Sequence, residues 1–251
     1  MDVSRAGRTK AKATTGWRLW SPTLPQNRGR VGDPRSLPIS DLCPTPNTIG
    51  LVGKGIFVRY CIFSGSSWGN RPEYARAAEE LAGLLVDRQI GVVYGGASIG
   101  LMGAVADAVL RQGGEVIGVI PQSLVDKEVA HAGLADLRVT SSMHERKALM
   151  AELSDGFIAL PGGIGTLEET FEVWTWGQLG LHSKPCALLN TAGFYDGLAI
   201  FLDTVVSEGF LRPQHRAMLL SEQDPERLLE RMSAYAPPHV DRKWIARPEN
   251  G

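Results

Sequence analysis

Gly156-Phe157-Ile158-Ala159-Leu160-Pro161-Gly162-Gly163-Ile164-Gly165-Thr166-Leu167-Glu168-Glu169 is the stretch whose reading decides the fold. Its first five residues form an apolar run that predicts a buried strand. Pro161 to Gly165 is a turn, and a helical pattern begins near Thr166 and continues to about Leu181. Strand, glycine turn and helix in that order make an anion site. Glycine lets the backbone approach closely, and the unpaired N–H groups of the helix start face the ligand. The two carboxylates that follow, Glu168 and Glu169, are unwelcome beside a phosphate and need a separate role.

The same alternation extends outward on both sides. Upstream, residues 56–63 read as the first strand, closed by Ser64-Gly65-Ser66-Ser67. Asn70 and Pro72 predict the start of a helix through Leu85. A short strand at 91–94, a glycine loop from Gly95 to Gly100, a helix over 101–111 and a strand at 115–120 follow. A looser segment holding Glu128 and His131 leads to a short strand at 137–140. Ser142-Met143-His144-Glu145 is a capping-box pattern that opens a helix ending near Ser154. Downstream come a strand at 185–190, a helix over about 195–208, a short strand at 217–220 and a helix capped by Asp224. Strands alternating with helices predict an α/β fold, a parallel sheet with helices on both faces. Ligands in such folds sit at the carboxyl ends of the strands near the topological switch point, and each Gly or Ser loop above lies at such an end.

Composition sets the limits. The 251 residues are 43% hydrophobic and 21% charged, which suits one core with tails. Residues 1–54 carry six prolines, little apolar periodicity and a net charge of +6, and read as a disordered extension or as translation from a start codon placed too far upstream. Residues 55–236 form the expected domain and 237–251 a polar tail. Everything after residue 54 has a net charge of −7 and offers no basic stripe for nucleic acid. Cys61 and Cys186 fall in strands and read as small buried apolar groups. With no CxxC or other metal spacing, no metal site is expected, and a reducing, cytoplasmic setting is. No apolar run reaches membrane-spanning length and no signal-peptide pattern opens the chain.

Individual motifs remain ambiguous by themselves. The Gly95–Gly100 loop is not a dinucleotide fingerprint, because Ala97 stands where the second glycine is needed, and no Walker A pattern exists. Gly95 and Gly96 serve either a tight turn or a nucleotide. Ser64 and Gly65 carry less signal still. Thr166-Leu167-Glu168-Glu169 fits a capping box, with Glu169 returning to the Thr166 N–H. Adjacent Glu168 and Glu169 differ by about 100° around a helix and cannot share one task. Arg146 and Lys147 lie near a helix start, where cations oppose the macrodipole, so they are expected to hold an anion. Trp174 and Trp176 read as core or interface residues, and His144, His182 and His215 are assigned no role.

Ser142-Met143-His144-Glu145-Arg146-Lys147, followed by Pro161-Gly162-Gly163-Ile164-Gly165-Thr166-Leu167-Glu168-Glu169, resembles the Lonely Guy (LOG) family of cytokinin-activating enzymes, often labelled lysine decarboxylases. The resemblance covers roughly 55 to 235, including Tyr94-Gly95-Gly96, Gly100-Leu101-Met102-Gly103 and the Thr175–Gly180 stretch. It implies a Rossmann-like homodimer with sites completed near the subunit interface. The implied activity is hydrolysis of N6-modified adenosine 5'-monophosphates, and of AMP itself as a further candidate, to free base and ribose 5-phosphate. By the same resemblance Arg146 and Glu169 are catalytic. Glu128, Lys147, Gly163, Ile164, Gly165, Thr166, Leu167, Glu168 and Thr175 bind substrate, and Ser64, Gly65, Gly95, Gly96 and Met143 are further nucleotide contacts.

The chemistry suits these residue types. Breaking an N-glycosidic bond builds positive charge on the ribose, which a carboxylate stabilises while it activates water. Glu169 is expected in that role, Glu168 as acceptor for a ribose hydroxyl, and the Gly163–Thr166 turn as the phosphate cradle. No cofactor is required. The competing readings are a non-catalytic nucleotide or molybdenum-cofactor carrier, which needs no Arg146–Glu169 pair, and a pyridoxal-phosphate decarboxylase, which needs a Schiff-base lysine from Lys147 or Lys184.

Overall fold

A computed structural model describes residues 58–127 and 129–238. Expectations for residues 1–54, for Glu128 and for the tail beyond Pro238 lie outside the described residues. Seven strands form one parallel sheet: β1 (Val58–Phe63), β2 (Ile90–Tyr94), β3 (Val116–Pro121), β4 (Asp136–Thr140), β5 (Gly156–Ala159), β6 (Cys186–Leu189) and β7 (Leu219–Glu222). Their spatial order is β4-β3-β2-β1-β5-β6-β7. The winding direction therefore reverses between β1 and β5, whose register pairs Tyr60 with Gly156 and Phe63 with Ala159. That arrangement is the Rossmann-like fold expected from the motif pattern.

Helices cover both faces. On one face α1 (Pro72–Asp87), α2 (Gly100–Arg111) and α8 (Pro225–Ser233) bury Ala78, Leu81, Leu85, Val105, Val109, Leu228 and Leu229 against Ile62, Val92 and Ile158. On the other, α4 (Met143–Glu152), α5 (Ile164–Gln178) and α6 (Asp196–Ser207) contribute Met150, Val173, Trp174 and Leu202 to a cluster with Cys61, Phe63, Val93, Phe157 and Leu188. Because successive strand residues point to opposite faces, β1 feeds Ile62 to one cluster and Cys61 and Phe63 to the other. Cys61 and Cys186 are buried free thiols. Short turns α3 (Gln122–Val125) and α7 (Pro213–Arg216), with a 3-10 turn at Thr191–Gly193, are the remaining helical elements among the described residues.

Two local expectations are corrected. Asn70 does not cap α1: Arg71 is the cap, its side chain makes no bond to the helix start, and Pro72 takes the first helical position, where its missing N–H costs nothing. The final strand lies at Leu219–Glu222 rather than 217–220, because Ala217 and Met218 continue the α7 turn through N–H bonds to the carbonyls of Pro213 and His215. Asp224 caps α8 as expected, its carboxylate accepting from the Arg227 N–H at 2.8 Å. Among the described residues no helix is long and apolar enough to cross a membrane.

Candidate active site

The carboxyl ends of β1 and β5, at the reversal point, open into a cleft of about 370 Å³. Its walls include Ser64 after β1, the Gly163–Thr166 turn after β5, Met143 and Arg146 of α4, and Glu168 and Glu169 of α5. Backbone bonds fix the two loops to each other: the Leu160 N–H donates to Phe63 O at 2.9 Å and the Gly65 N–H to Pro161 O at 3.1 Å. Tyr195 braces the β5 loop from behind, its hydroxyl donating to Leu160 O at 2.6 Å. A Cβ on Gly162 would stand 2.1 Å from the Thr166 hydroxyl oxygen, so only glycine lets the turn fold this tightly.

The start of α5 differs from the sequence expectation. Gly163, not Thr166, is the cap, and it offers no side chain. Thr166 lies inside the first turn and is buried. The capping box at Thr166–Glu169 therefore does not form. The N–H groups of Ile164, Gly165 and Thr166 have no intrahelical partner, whereas the Leu167 N–H bonds to Gly163 O at 3.1 Å. Nothing lies within 4 Å above Gly163 or Gly165. Ser64, also buried in the wall, has a hydroxyl oxygen with no partner. Free donors at a helix start beside an unpartnered hydroxyl constitute an anion-binding arrangement.

Instead of capping, Glu169 turns to α4. Arg146 Nη1 donates to Glu169 Oε1 at 2.6 Å, and Arg146 Nε donates to Val119 O at 3.0 Å. The two side chains are only 9% and 14% exposed. Burial pushes the Glu169 carboxyl up from its ordinary value, and the Arg146 charge offsets only part of that. Gly95 makes room for the guanidinium, since a Cβ there would stand 2.3 Å from Nη2. Gly95 thus acts through Arg146 and is not itself part of the cleft wall. Gly96 adopts a φ of 74° beneath the loop at 129–131, whose His131 N–H donates to its carbonyl at 2.9 Å.

Lys147 is held by two carboxylates, Glu168 through a short hydrogen bond and Glu172 Oε2 at 2.9 Å. Burial alone would lower its pKa, but the bonds to Glu168 and Glu172 outweigh that and raise it. Both cations of α4 are thus engaged by carboxylates of α5, where the sequence led to the expectation of a bound anion. The structure brings Ser64, Met143, Arg146, Gly163, Ile164, Gly165, Thr166, Glu168 and Glu169 to one cleft. It does not bring Leu167 or Thr175 there. Leu167 packs into the core, and Thr175 is exposed about 9 Å beyond Glu169 along α5 at 1.5 Å per residue. Gly65 lines a neighbouring 230 Å³ cleft with Trp68, Tyr74 and Phe194. The sequence motifs assign Met102, Ser66 and Glu172 no role. Met102 sits on α2, whose apolar pattern gives no sign of a cleft, and Glu172 repeats Glu168 at the four-residue spacing that puts both on one helix face.

Comparison with known proteins places these features in a family. A family model described as "Possible lysine decarboxylase" matches residues 102–232. A probable cytokinin riboside 5'-monophosphate phosphoribohydrolase of Oryza sativa subsp. japonica is 51% identical over 188 residues, 75% of this chain and 83% of that protein. The chain belongs to the LOG family. A cytokinin riboside 5'-monophosphate phosphoribohydrolase of Arabidopsis thaliana is 49% identical over 183 residues, 73% of this chain and 86% of that protein. Among solved structures, the molybdenum cofactor binding protein of Rippkaea orientalis superposes with a TM-score of 0.54 at 19% identity, covering 70% of this chain and 96% of that one. At that identity the likeness shows the shared fold alone.

Proposed function

We propose that this LOG-family chain hydrolyses the N-glycosidic bond of N6-modified adenosine 5'-monophosphates, with AMP itself as a further candidate substrate, to free base and ribose 5-phosphate. The observation that carries the proposal is the buried Arg146–Glu169 pair beside the open start of α5. A monophosphate seated on the free N–H groups of Ile164, Gly165 and Thr166, with the Ser64 hydroxyl as a further donor, directs its ribose towards Glu169. As the bond from the anomeric carbon to the base nitrogen lengthens, positive charge grows on the ribose. The Glu169 carboxylate stabilises that charge and takes a proton from the water whose hydroxyl adds at the anomeric carbon; that proton leaves with the base, which departs neutral as Glu169 returns to its carboxylate form. Arg146 keeps Glu169 oriented and ionised. Glu168, at the cleft rim, is the acceptor for a ribose hydroxyl.

A carrier on the same fold has no use for a buried carboxylate gripped by arginine at the mouth of an anion site. A pyridoxal-phosphate decarboxylase needs a lysine able to form a Schiff base. Lys147 is clamped by two carboxylates and Lys184 donates to Ala151 O at 2.7 Å, so neither suits that group.

The chain is further proposed to work as a homodimer. Thr175, with no place in this chain's own cleft, would serve the partner's, and Leu181 and Phe210 stand exposed for burial. Its free buried thiols and mildly acidic folded region suit a cytoplasmic enzyme with a small nucleotide substrate and no nucleic-acid partner. The test is incubation with AMP and isopentenyladenosine 5'-monophosphate, with free base and ribose 5-phosphate measured. Equimolar release of both is expected, and tight binding without release would establish a carrier instead.

A further inference from the structure

We infer that Glu172 is a positioning residue for the hydrolysis: it anchors Lys147, and Lys147 in turn holds Glu168 at the rim of the cleft. This rests on the function proposed above and assigns Lys147 a task other than phosphate contact. Glu168 and Glu172 are four residues apart on α5 and so share one face, where like charges repel. The chain tolerates them together because one ammonium serves both. Lys147 is 10% exposed, and its Nζ lies 2.9 Å from Glu172 Oε2 and in a short hydrogen bond to Glu168 Oε1.

The two carboxylates are not equivalent. Glu168 is 52% exposed and forms part of the cleft wall, whereas Glu172 is 26% exposed and does not. Glu172 Oε2 is sealed from solvent and accepts no well-angled hydrogen bond; among the described residues it is met by the Lys147 ammonium as an ion pair at 2.9 Å. A lysine side chain is long and mobile, and with a single counter-ion it would follow that ion or swing to a bound phosphate. A second, fixed carboxylate behind it removes that freedom. Glu168 then meets the substrate from one defined place. The arrangement resembles Arg146, which is likewise fixed twice, by Val119 O and by Glu169.

The test is a double-mutant cycle of Glu172→Gln and Glu168→Gln, with kcat, KM and calorimetric binding of AMP measured in all four proteins. Glu172→Gln should raise KM about tenfold, equivalent to roughly 1.4 kcal/mol of lost positioning, with kcat within about twofold of the wild-type value. The double variant should be no worse than Glu168→Gln alone, because contacts acting in series do not add. Additive losses, or a fall in melting temperature with KM unchanged, overturn the proposal and leave Glu172 a tether between helices. Binding keeps this proposal separable from the proposed reaction. A wild-type chain that binds AMP without releasing base ends the hydrolase reading, and Glu172 is then judged on Kd by the same cycle. A wild-type chain that binds neither AMP nor isopentenyladenosine 5'-monophosphate overturns both.

Discussion

Two helices begin at the same cleft and are finished in opposite ways. The start of α4 is closed by its own chain: the Ser142 hydroxyl accepts from the Glu145 N–H at 3.2 Å, and the Glu145 carboxylate accepts from the Ser141 N–H and hydroxyl at 2.8 and 2.6 Å. The start of α5 is left open. Its cap is Gly163, no side chain turns back, and its first three N–H groups have no partner within the helix. A helix start that only needs stability uses its own polar residues, worth about 1 kcal/mol per cap. A helix start that forgoes that stabilisation keeps its donors for something from outside. Across the gap, the cations of α4 reach the carboxylates of α5, so the closed helix orients the acids of the open one.

The largest effect comes from cutting that link. Glu169→Gln should lower kcat/KM by about 10³-fold, the scale of a lost general base, with the fold intact by circular dichroism. Arg146→Ala should lose as much activity and also stability, about 3–5 kcal/mol, because it strands a buried carboxylate. The pH dependence has a defined sign. The folded pKa of Glu169 is raised above 4.5 by burial, so the acidic limb of the rate profile should lie above that value. A raised carboxyl favours the fold most when protonated, an advantage complete below the unfolded value and lost as pH rises through the folded one. The melting temperature of the wild-type chain relative to Glu169→Gln should therefore climb as pH falls from neutrality towards 4.5. A rate profile with its limb at the ordinary value would mean that some other group supplies the base.

The next effect tests the open helix start directly. Gly165→Ala places a methyl group where nothing lies within 4 Å, in a helix position where alanine is favoured by up to about 1 kcal/mol. Stability should hold or rise. Affinity for ribose 5-phosphate, read by calorimetry, should fall about tenfold, or 1.4 kcal/mol, because the methyl projects into the space in front of the donors. Unchanged affinity would move the phosphate elsewhere.

How much of this was legible in the sequence follows from which interactions are local. The alternation of apolar runs with helical patterns determined the sheet, and Phe157 and Ile158 marked β5, the neighbour of the middle strand β1. Ser142 and Asp224 were legible as caps because their partners lie three residues away. Thr166 carried the same signature and does not cap, since the helix starts three residues earlier, at Gly163, and the tertiary partner Arg146 takes Glu169. The motif resemblance joined Arg146 to Glu169, 23 residues apart in the chain. It could not reveal that Lys147 is clamped twice, because Glu172 reads as one more charge on a solvated helix face. Gly95 likewise read as a turn or nucleotide glycine, whereas its constraint is the guanidinium stacked over it. The loop at 129–131 is held to Ser98 and Gly96 by backbone bonds of 3.0 and 2.9 Å, which no side chain announces.

The smallest effect is the one that makes the comparison sharp. Ser142→Ala removes the hydroxyl that closes α4, and a lost cap costs about 1 kcal/mol. Chemical denaturation should show that loss as a shift in midpoint with an unchanged slope. KM should stay within about twofold of wild type, because Arg146 remains held by Val119 O and Glu169 without the cap. Gly165→Ala should show the reverse, affinity lost and stability kept. If Ser142→Ala instead weakens substrate binding, the capped start of α4 is itself part of the binding surface, and the division between a helix start built for stability and one built for a ligand fails.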